Sequence, residues 1–257
     1  MIQYPANRAE KYDELWQFFH LGREQQIWSV IEKTKIKPGS LILDIGCGSG
    51  AYTMPLAALA RSRAIAVDPS IGMLRQMQGK LAASSDLALL QADGEQLPLR
   101  TNSVDLVFMS YVLHQVRDTK HLLSEAFRVL REGRSIAIIT SSHKQLRLDI
   151  VHRYFPRVLR LNLNRFPSLP EIRSLLSASG FCRIGLSQIS TAEKTSLQAL
   201  REKVEGKYIS ALALLPEEQF QKGFRVFDRR LERDFPQGEL MYTHSTSLIT
   251  ATKPRGT

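Results

Sequence analysis

The chain has 257 residues, of which 43% are hydrophobic and 23% charged, and a formal net charge of +10 at pH 7. This is the composition of a folded globular domain, which excludes a disordered or collagen-like chain. No apolar run reaches the roughly 18–20 residues of a membrane-spanning helix.

The opening residues, MIQYPANRAEKYDELW, are charged and aromatic, without the apolar middle of a secretion signal. Asn7 and Glu10 form a capping pair, and Tyr12, Trp16 and Phe19 share a helical face, so residues 1–36 are expected to form a helical cap. From about 41 to 190, short apolar runs alternate with amphipathic stretches. The runs are LILDIG (41–46), AIAVD (64–68), LALLQ (87–91), VDLVFMS (104–110), SIAIITS (135–141) and CRIGLSQI (182–189). Leu-rich and β-branched runs separated by helices predict a mostly parallel sheet covered on both faces. Asp118 is expected to cap a helix carrying Leu123, Phe127 and Leu130 inward, with Gly133 ending it. Ser168 and Glu171 form a capping box, and that helix stops at Gly180. Residues 191–240 show two helical patterns, 192–214 and 216–234, with Pro216 at a helix start, before a last strand at 243–253. The expectation is a single α/β domain over 1–257. It comprises a cap (1–36), a core (37–190), a helical lid insertion (191–240), and a last strand and tail (241–257).

Charge and cysteines add two restrictions. Residues 1–142 hold 16 Lys/Arg and 14 Asp/Glu, whereas 143–236 hold 17 and 10, so the positive excess sits in the second half. The two isolated cysteines, Cys47 and Cys182, offer no zinc-ligand spacing, so no metal is expected, and they suit a reducing cytoplasm.

The loop after the first strand reads Asp44-x-Gly46-x-Gly48-x-Gly50. A P-loop needs Lys-Ser/Thr after its last glycine, and Ala51-Tyr52 follow here. A dinucleotide loop is spaced Gly-x-Gly-x-x-Gly and hugs a pyrophosphate. Here a carboxylate stands where phosphate would rest; it would repel an anion and attract an ammonium or sulfonium. The second strand ends in Asp68, placed to accept hydrogen bonds from ribose hydroxyls. A ribose, no phosphate clamp and a tolerated cation together describe S-adenosylmethionine.

LDIGCGSG, AVDPS (66–70) and ADGEQLPLRTNSVDLVFMSYVLHQV (92–116) resemble, in order, the motifs of class I S-adenosylmethionine-dependent methyltransferases. The nearest branch is similar to the small-molecule group that includes the ubiquinone and menaquinone biosynthesis methyltransferases. The resemblance implies a Rossmann-like sheet of seven strands, the last antiparallel and inserted beside the fifth, and S-adenosyl-L-homocysteine as product. One departure is Arg134, where the family usually has glycine.

The resemblance assigns residues to the cofactor. Gly46, Gly48 and Gly50 pass under its methionine and ribose, with Cys47 among them; Asp44 faces the ammonium and Asp68 holds the ribose diol, followed by Pro69. Met73 covers adenine or belongs to the core. Asp93, with Gly94, accepts from the adenine amino group. Ser110 lies at the fourth strand's carboxyl end, and Tyr12 belongs to the closing cap. Methyl transfer needs mainly orientation, because the methyl is already activated. His114 is the best base in the motif should the acceptor lose a proton, and is otherwise a packing residue or a holder of the methionine carboxylate. Tyr111 is the second catalytic candidate.

The stretch 143–165 has five arginines, one lysine and two histidines against one acid. Arg153, Arg157 and Arg160 either hold an anionic acceptor or form a solvated face, with Pro156 kinking their helix. The expected partner is a small molecule, acidic or aromatic, in a pocket closed by an apolar lid. An RNA- or protein-modifying enzyme is the alternative suggested by the basic half. Against it, the fourth-strand motif is FMSYVLH and no RNA-binding module is visible. A catalytically silent cofactor-binding protein is the third reading.

Overall fold

The computed structural model describes residues 20–82 and 86–256. The face formed by Tyr12, Trp16 and Phe19 lies outside the described residues, as does the cofactor contact expected of Tyr12.

Seven strands form one sheet in the order β3-β2-β1-β4-β5-β7-β6. They are β1 (Leu41–Ile45), β2 (Arg63–Asp68), β3 (Leu87–Gln91), β4 (Val104–Ser110), β5 (Leu130–Thr140), β6 (Cys182–Ser196) and β7 (Glu239–Thr252). β1 to β5 pair in parallel, and β7 runs antiparallel to both of its neighbours. This is the Rossmann-like arrangement expected.

The strand pleat explains the two layers of core. Leu43, Ile45, Val107, Met109, Ile136 and Ile138 point to one face. Their alternates Ile42, Leu106, Phe108, Ala137 and Ile139 point to the other. On the second face lie α1 (His20–Thr34), which contributes Ile27 and Val30, and α2 (Thr53–Leu59). The first face carries α4 (Thr119–Val129) and α8 (Leu169–Ala178); α3 (Ile71–Gln78) follows β2. The Ser168–Glu171 capping box forms as expected.

Three boundaries differ from the sequence reading. Asp118 caps α4, but the helix ends at Val129, and Gly133 lies inside β5 with φ +71°. Between the β4–β5 pairs Val104↔Leu130 and Leu106↔Ser135 the register bulges, which aims Arg131 and Arg134 at the buried Asp105 (2.8 and 3.3 Å). The family departure at Arg134 therefore has a local electrostatic role at the edge of the sheet away from the glycine loop.

Second, β6 and β7 are longer than expected, so residues 191–196 and 239–242 are strand rather than lid or linker. β5 pairs only with Ser247–Thr252 of β7, so beyond Ser247 the two strands continue as a ribbon past the end of β5. This carries Tyr242, His244 and Ser245 over the carboxyl edge of the sheet. Third, the insertion comprises α9 (Leu197–Glu205), α10 (Ser210–Ala213) and α11 (Glu217–Asp234). Gly206 ends α9, dividing the expected 192–214 helix.

The stretch 143–165 folds as α5 (His143–Leu148), α6 (Ile150–Tyr154) and α7 (Pro156–Arg165). Asp149 is extended and breaks the first pair; Pro156 opens α7, where its missing N–H costs nothing. These helices and the insertion share a separate core of Phe155, Val204, Leu212, Phe220, Phe227 and Leu231.

Candidate active site

A cavity of about 380 Å³ opens at the carboxyl end of β1, β2 and β4. Its floor is the glycine loop. Gly46 and Cys47 donate their N–H groups to Val67 O (2.7 and 3.0 Å), tying the loop to β2. Gly46, Gly48 and Gly50 all have positive φ. They serve different ends. A Cβ on Gly46 would stand 2.6 Å from Val112 Cγ2, and one on Gly50 would stand 2.7 Å from Met77 Cγ. A Cβ on Gly48 would meet nothing within 4 Å, because the space beside it is the cavity.

Two acids stand over this floor. Asp68 Oδ2 accepts from Gly48 N (2.9 Å) and Oδ1 from Ser70 N (2.8 Å). Asp44 is 1% exposed; its Oδ2 accepts from Thr53 Oγ1 at 2.5 Å, and its Oδ1 has no hydrogen-bond partner among the described residues. Desolvation lifts its carboxyl from 3.8 to about 7, with Asp68 adding to the rise and the Thr53 bond opposing it. A buried carboxylate with an unsatisfied oxygen at the cavity wall suits a cationic group, and the open space over Gly48 suits a ligand running across the loop. The residues therefore fit an amino-acid-bearing nucleoside.

The rest of the expected set divides. Met73 and Ser110 line the cavity, Met73 being 2% exposed. Cys47 also lines it, but burial and the two acids push its thiol well above the ordinary range, which removes nucleophilic character. Gly50, Pro69, Asp93 and Gly94 are not part of the wall. Asp93 Oδ1 accepts from Glu95 N (3.0 Å), and its Oδ2 lies 3.8 Å from Arg117. Arg23, Gln26 and Tyr52 were not singled out from the sequence. Tyr52 Oη donates to Gln26 Oε1 (2.6 Å) under the Arg23 guanidinium, joining α1 to the loop. No local motif marks such a contact between distant elements.

The turn after β4 supplies Tyr111 and His114. Tyr111 is a non-glycine residue at φ +56°, a conformation costing about 1–2 kcal/mol. His114 is 8% exposed and stacks on Phe166 with ring centroids 3.8 Å apart and planes 9° from parallel. Burial first, and the Arg165 cation second, hold its pKa down at about 3. The ring is neutral at physiological pH and takes up a proton poorly.

Opposite the glycine loop, Gln145, Asp149, His152, Asn162, Tyr208 and Tyr242 form much of the cavity wall. Arg153, Arg157 and Arg160 are exposed and do not line it. None of the described helices is long and apolar enough to cross a membrane.

Residues 43–138 match the model of the methyltransferase domain family. The chain is 27% identical over 197 residues to a demethylmenaquinone methyltransferase of Streptomyces avermitilis, covering 68% of this chain and 83% of that protein. Among solved structures it is similar to a protein of Anabaena variabilis described as a methyltransferase from an antibiotic biosynthesis pathway. There the TM-score is 0.71 and the identity 23%, over 89% of this chain and 96% of that one. It is also similar to phosphoethanolamine N-methyltransferase 2 of Haemonchus contortus in complex with S-adenosyl-L-methionine. That likeness has a TM-score of 0.66 and 19% identity, over 98% of this chain and 58% of that one.

Proposed function

The chain is a class I S-adenosylmethionine-dependent methyltransferase acting on a small molecule, and we propose that its acceptor is a hydroxylated aromatic ring of low charge. The observation that carries this is the wall opposite the glycine loop. It presents the stacked His114–Phe166 pair and hydrogen-bonding side chains that include one acid, Asp149, and one exposed cation, Lys144, while Arg153, Arg157 and Arg160 stand outside it. The Streptomyces relative, whose name specifies a demethylated menaquinone, is in keeping with a ring acceptor.

Bound S-adenosylmethionine supplies an electrophilic methyl carbon that needs no further activation. The protein's part is orientation, which supplies much of the acceleration in such displacements. We assign the cofactor's ammonium to Asp44, its ribose diol to the free lone pairs of Asp68, and its passage across the loop to the space over Gly48. Met73 and Ser110 border the same half. His114 is assigned to positioning rather than proton removal, because a ring with a pKa of about 3 is a weak base at neutral pH. Tyr111 sets the direction of that turn.

The test is calorimetric titration with S-adenosylhomocysteine and, in parallel, NADH, followed by anaerobic incubation with S-adenosylmethionine and 1,4-dihydroxynaphthalene. Binding of the first nucleotide alone and a mass gain of one methyl on the ring are expected. Methylation of carboxylated acceptors but of no neutral ring would overturn the proposed acceptor class.

A further inference from the structure

Asp149 does more than the fold requires of it. It stands between α5 and α6, and its Oδ1 accepts from Val151 N (2.9 Å) and His152 N (3.4 Å), as a helix N-cap does. Its Oδ2 is not needed for that cap. It accepts from the hydroxyl of Tyr242 at 2.8 Å, which comes from β7, 93 residues later. Tyr208, from the turn after α9, stands in the same wall. Alongside, Asn162 Nδ2 lies 2.9 Å from His152 Nε2, and Asn162 Oδ1 is buried with no hydrogen-bond partner among the described residues. All five side chains line the cavity.

The order of donors in this chain is fixed by chemistry. A tyrosine has one hydroxyl proton. Tyr242 donates its proton to Asp149, so its oxygen keeps only lone pairs for any further contact. Burial, and next the charge of Asp149, push both phenols well above their usual range, so they stay protonated. The Tyr242 proton therefore points toward the carboxylate, and oxygen lone pairs are what this pair offers to a ligand. A hydroxyl or amine N–H arriving there finds an acceptor. A carboxylate finds lone pairs backed by a negative charge. Lys203, with its ammonium 5.9 Å from the centre of the Tyr242 ring, is not part of the cavity wall; of the cations that are, Lys144 is exposed on α5 and Arg23 lies over Tyr52 beside the glycine loop.

We propose that Asp149 and Tyr242 form a subsite that holds a neutral hydrogen-bond donor of the acceptor and rejects acidic acceptors. Asp149 acts through Tyr242 as a positioning residue. The inference rests on the ring-acceptor reading above, and its test separates the two.

Asp149→Asn is the informative substitution. Asparagine caps a helix about as well as aspartate, so α6 keeps its start. Its amide N–H, however, would replace Oδ2 and turn the Tyr242 hydroxyl around, so that its proton faces the cavity. Tyr242→Phe is the second variant and removes the link. Each protein, saturated with S-adenosylhomocysteine, is titrated anaerobically with 1,4-dihydroxynaphthalene and with 1,4-dihydroxy-2-naphthoate. The native protein should prefer the neutral ring by about tenfold or more, the scale set by one hydrogen bond and one unfavourable charge. Asp149→Asn should reverse or erase that preference; Tyr242→Phe should weaken the neutral ring without helping the naphthoate. Affinity for S-adenosylhomocysteine should not change in either variant. If the native protein binds the rings but its preference survives both substitutions, or it favours the naphthoate, the subsite is wrong and the ring acceptor stands. If the native protein binds neither ring, the ring acceptor itself is wrong and the subsite falls with it.

Discussion

The two halves of the cavity are built in opposite ways. The half we assign to the cofactor is made by backbone: one turn after β1, the tip of β2 and the turn after β4, within residues 44–114. It consists of a loop held by positive φ at glycine, whose glycine N–H groups bond to Val67, Asp68 and Cys47, and of two acids at strand ends. The half we assign to the acceptor is made by side chains from α5, α6, α7, the turn after α9 and the β7 ribbon, spread over about a hundred residues. A site made of one turn leaves a compact motif in the sequence. A site made of five elements leaves none, because each contributes one or two residues whose meaning depends on the others.

This contrast can be broken at several points, beginning with the largest effect. Gly46→Ala combines left-handed strain with a methyl 2.6 Å from Val112 and should cost about 2–5 kcal/mol of stability, measured by urea unfolding. Gly48→Ala should cost the fold only the strain, about 1–2 kcal/mol, yet abolish measurable S-adenosylhomocysteine binding by calorimetry. Equal losses of stability in the two variants would mean that the loop is rigid for folding alone.

Asp44 tests the electrostatics of the same half. Its folded pKa of about 7 lies above the unfolded 3.8, so the protonated form is favoured by the fold. Its contribution is therefore fully present below pH 3.8 and is lost as pH rises through 3.8 to 7, on the order of 4 kcal/mol in all. Asp44→Asn should make the ligand-free protein more stable than the native protein at pH 8 and bring the two together at low pH. The same variant should bind S-adenosylhomocysteine more weakly. Native binding near pH 6 should release protons, seen as a binding enthalpy that varies with the buffer.

Smaller still, Asp68→Asn should weaken S-adenosylhomocysteine binding by about 1.5–3 kcal/mol, the range for hydrogen bonds to a charged group. Full affinity in that variant would remove Asp68 from the ribose. At the bottom of the scale, Arg157→Ala and Arg160→Ala should change neither ligand affinity nor stability by more than about 0.5 kcal/mol, because both side chains are exposed and outside the cavity. A large loss of turnover there would restore the anionic acceptor that their sequence spacing suggested.

Much of this molecule was legible before folding was considered. The seven strand runs, the parallel order of the core and the acid–glycine loop follow from periodicities and turn chemistry that act over a few residues. The helix that Gly133 was expected to end shows where local rules lose. A glycine signals positive φ, not which element needs it, and the β4–β5 bulge used it to bring Arg131 and Arg134 onto Asp105. The same holds for His114. Its identity marks a titratable ring, whereas its pKa of about 3 comes from Phe166 stacked on it and the burial around both.

By itself, then, the sequence determined the sheet, the glycine turn and the two acids that suit a cationic nucleoside, since each depends on neighbours along the chain. Tertiary structure alone decided that β6 and β7 extend into a ribbon, that the arginines of 153–160 face outward, and that Tyr242 meets Asp149 at 2.8 Å across 93 residues. The physical reason is range. Backbone conformation answers to adjacent residues, whereas burial, charge pairing and the shape of the acceptor pocket answer to whatever the completed fold brings alongside.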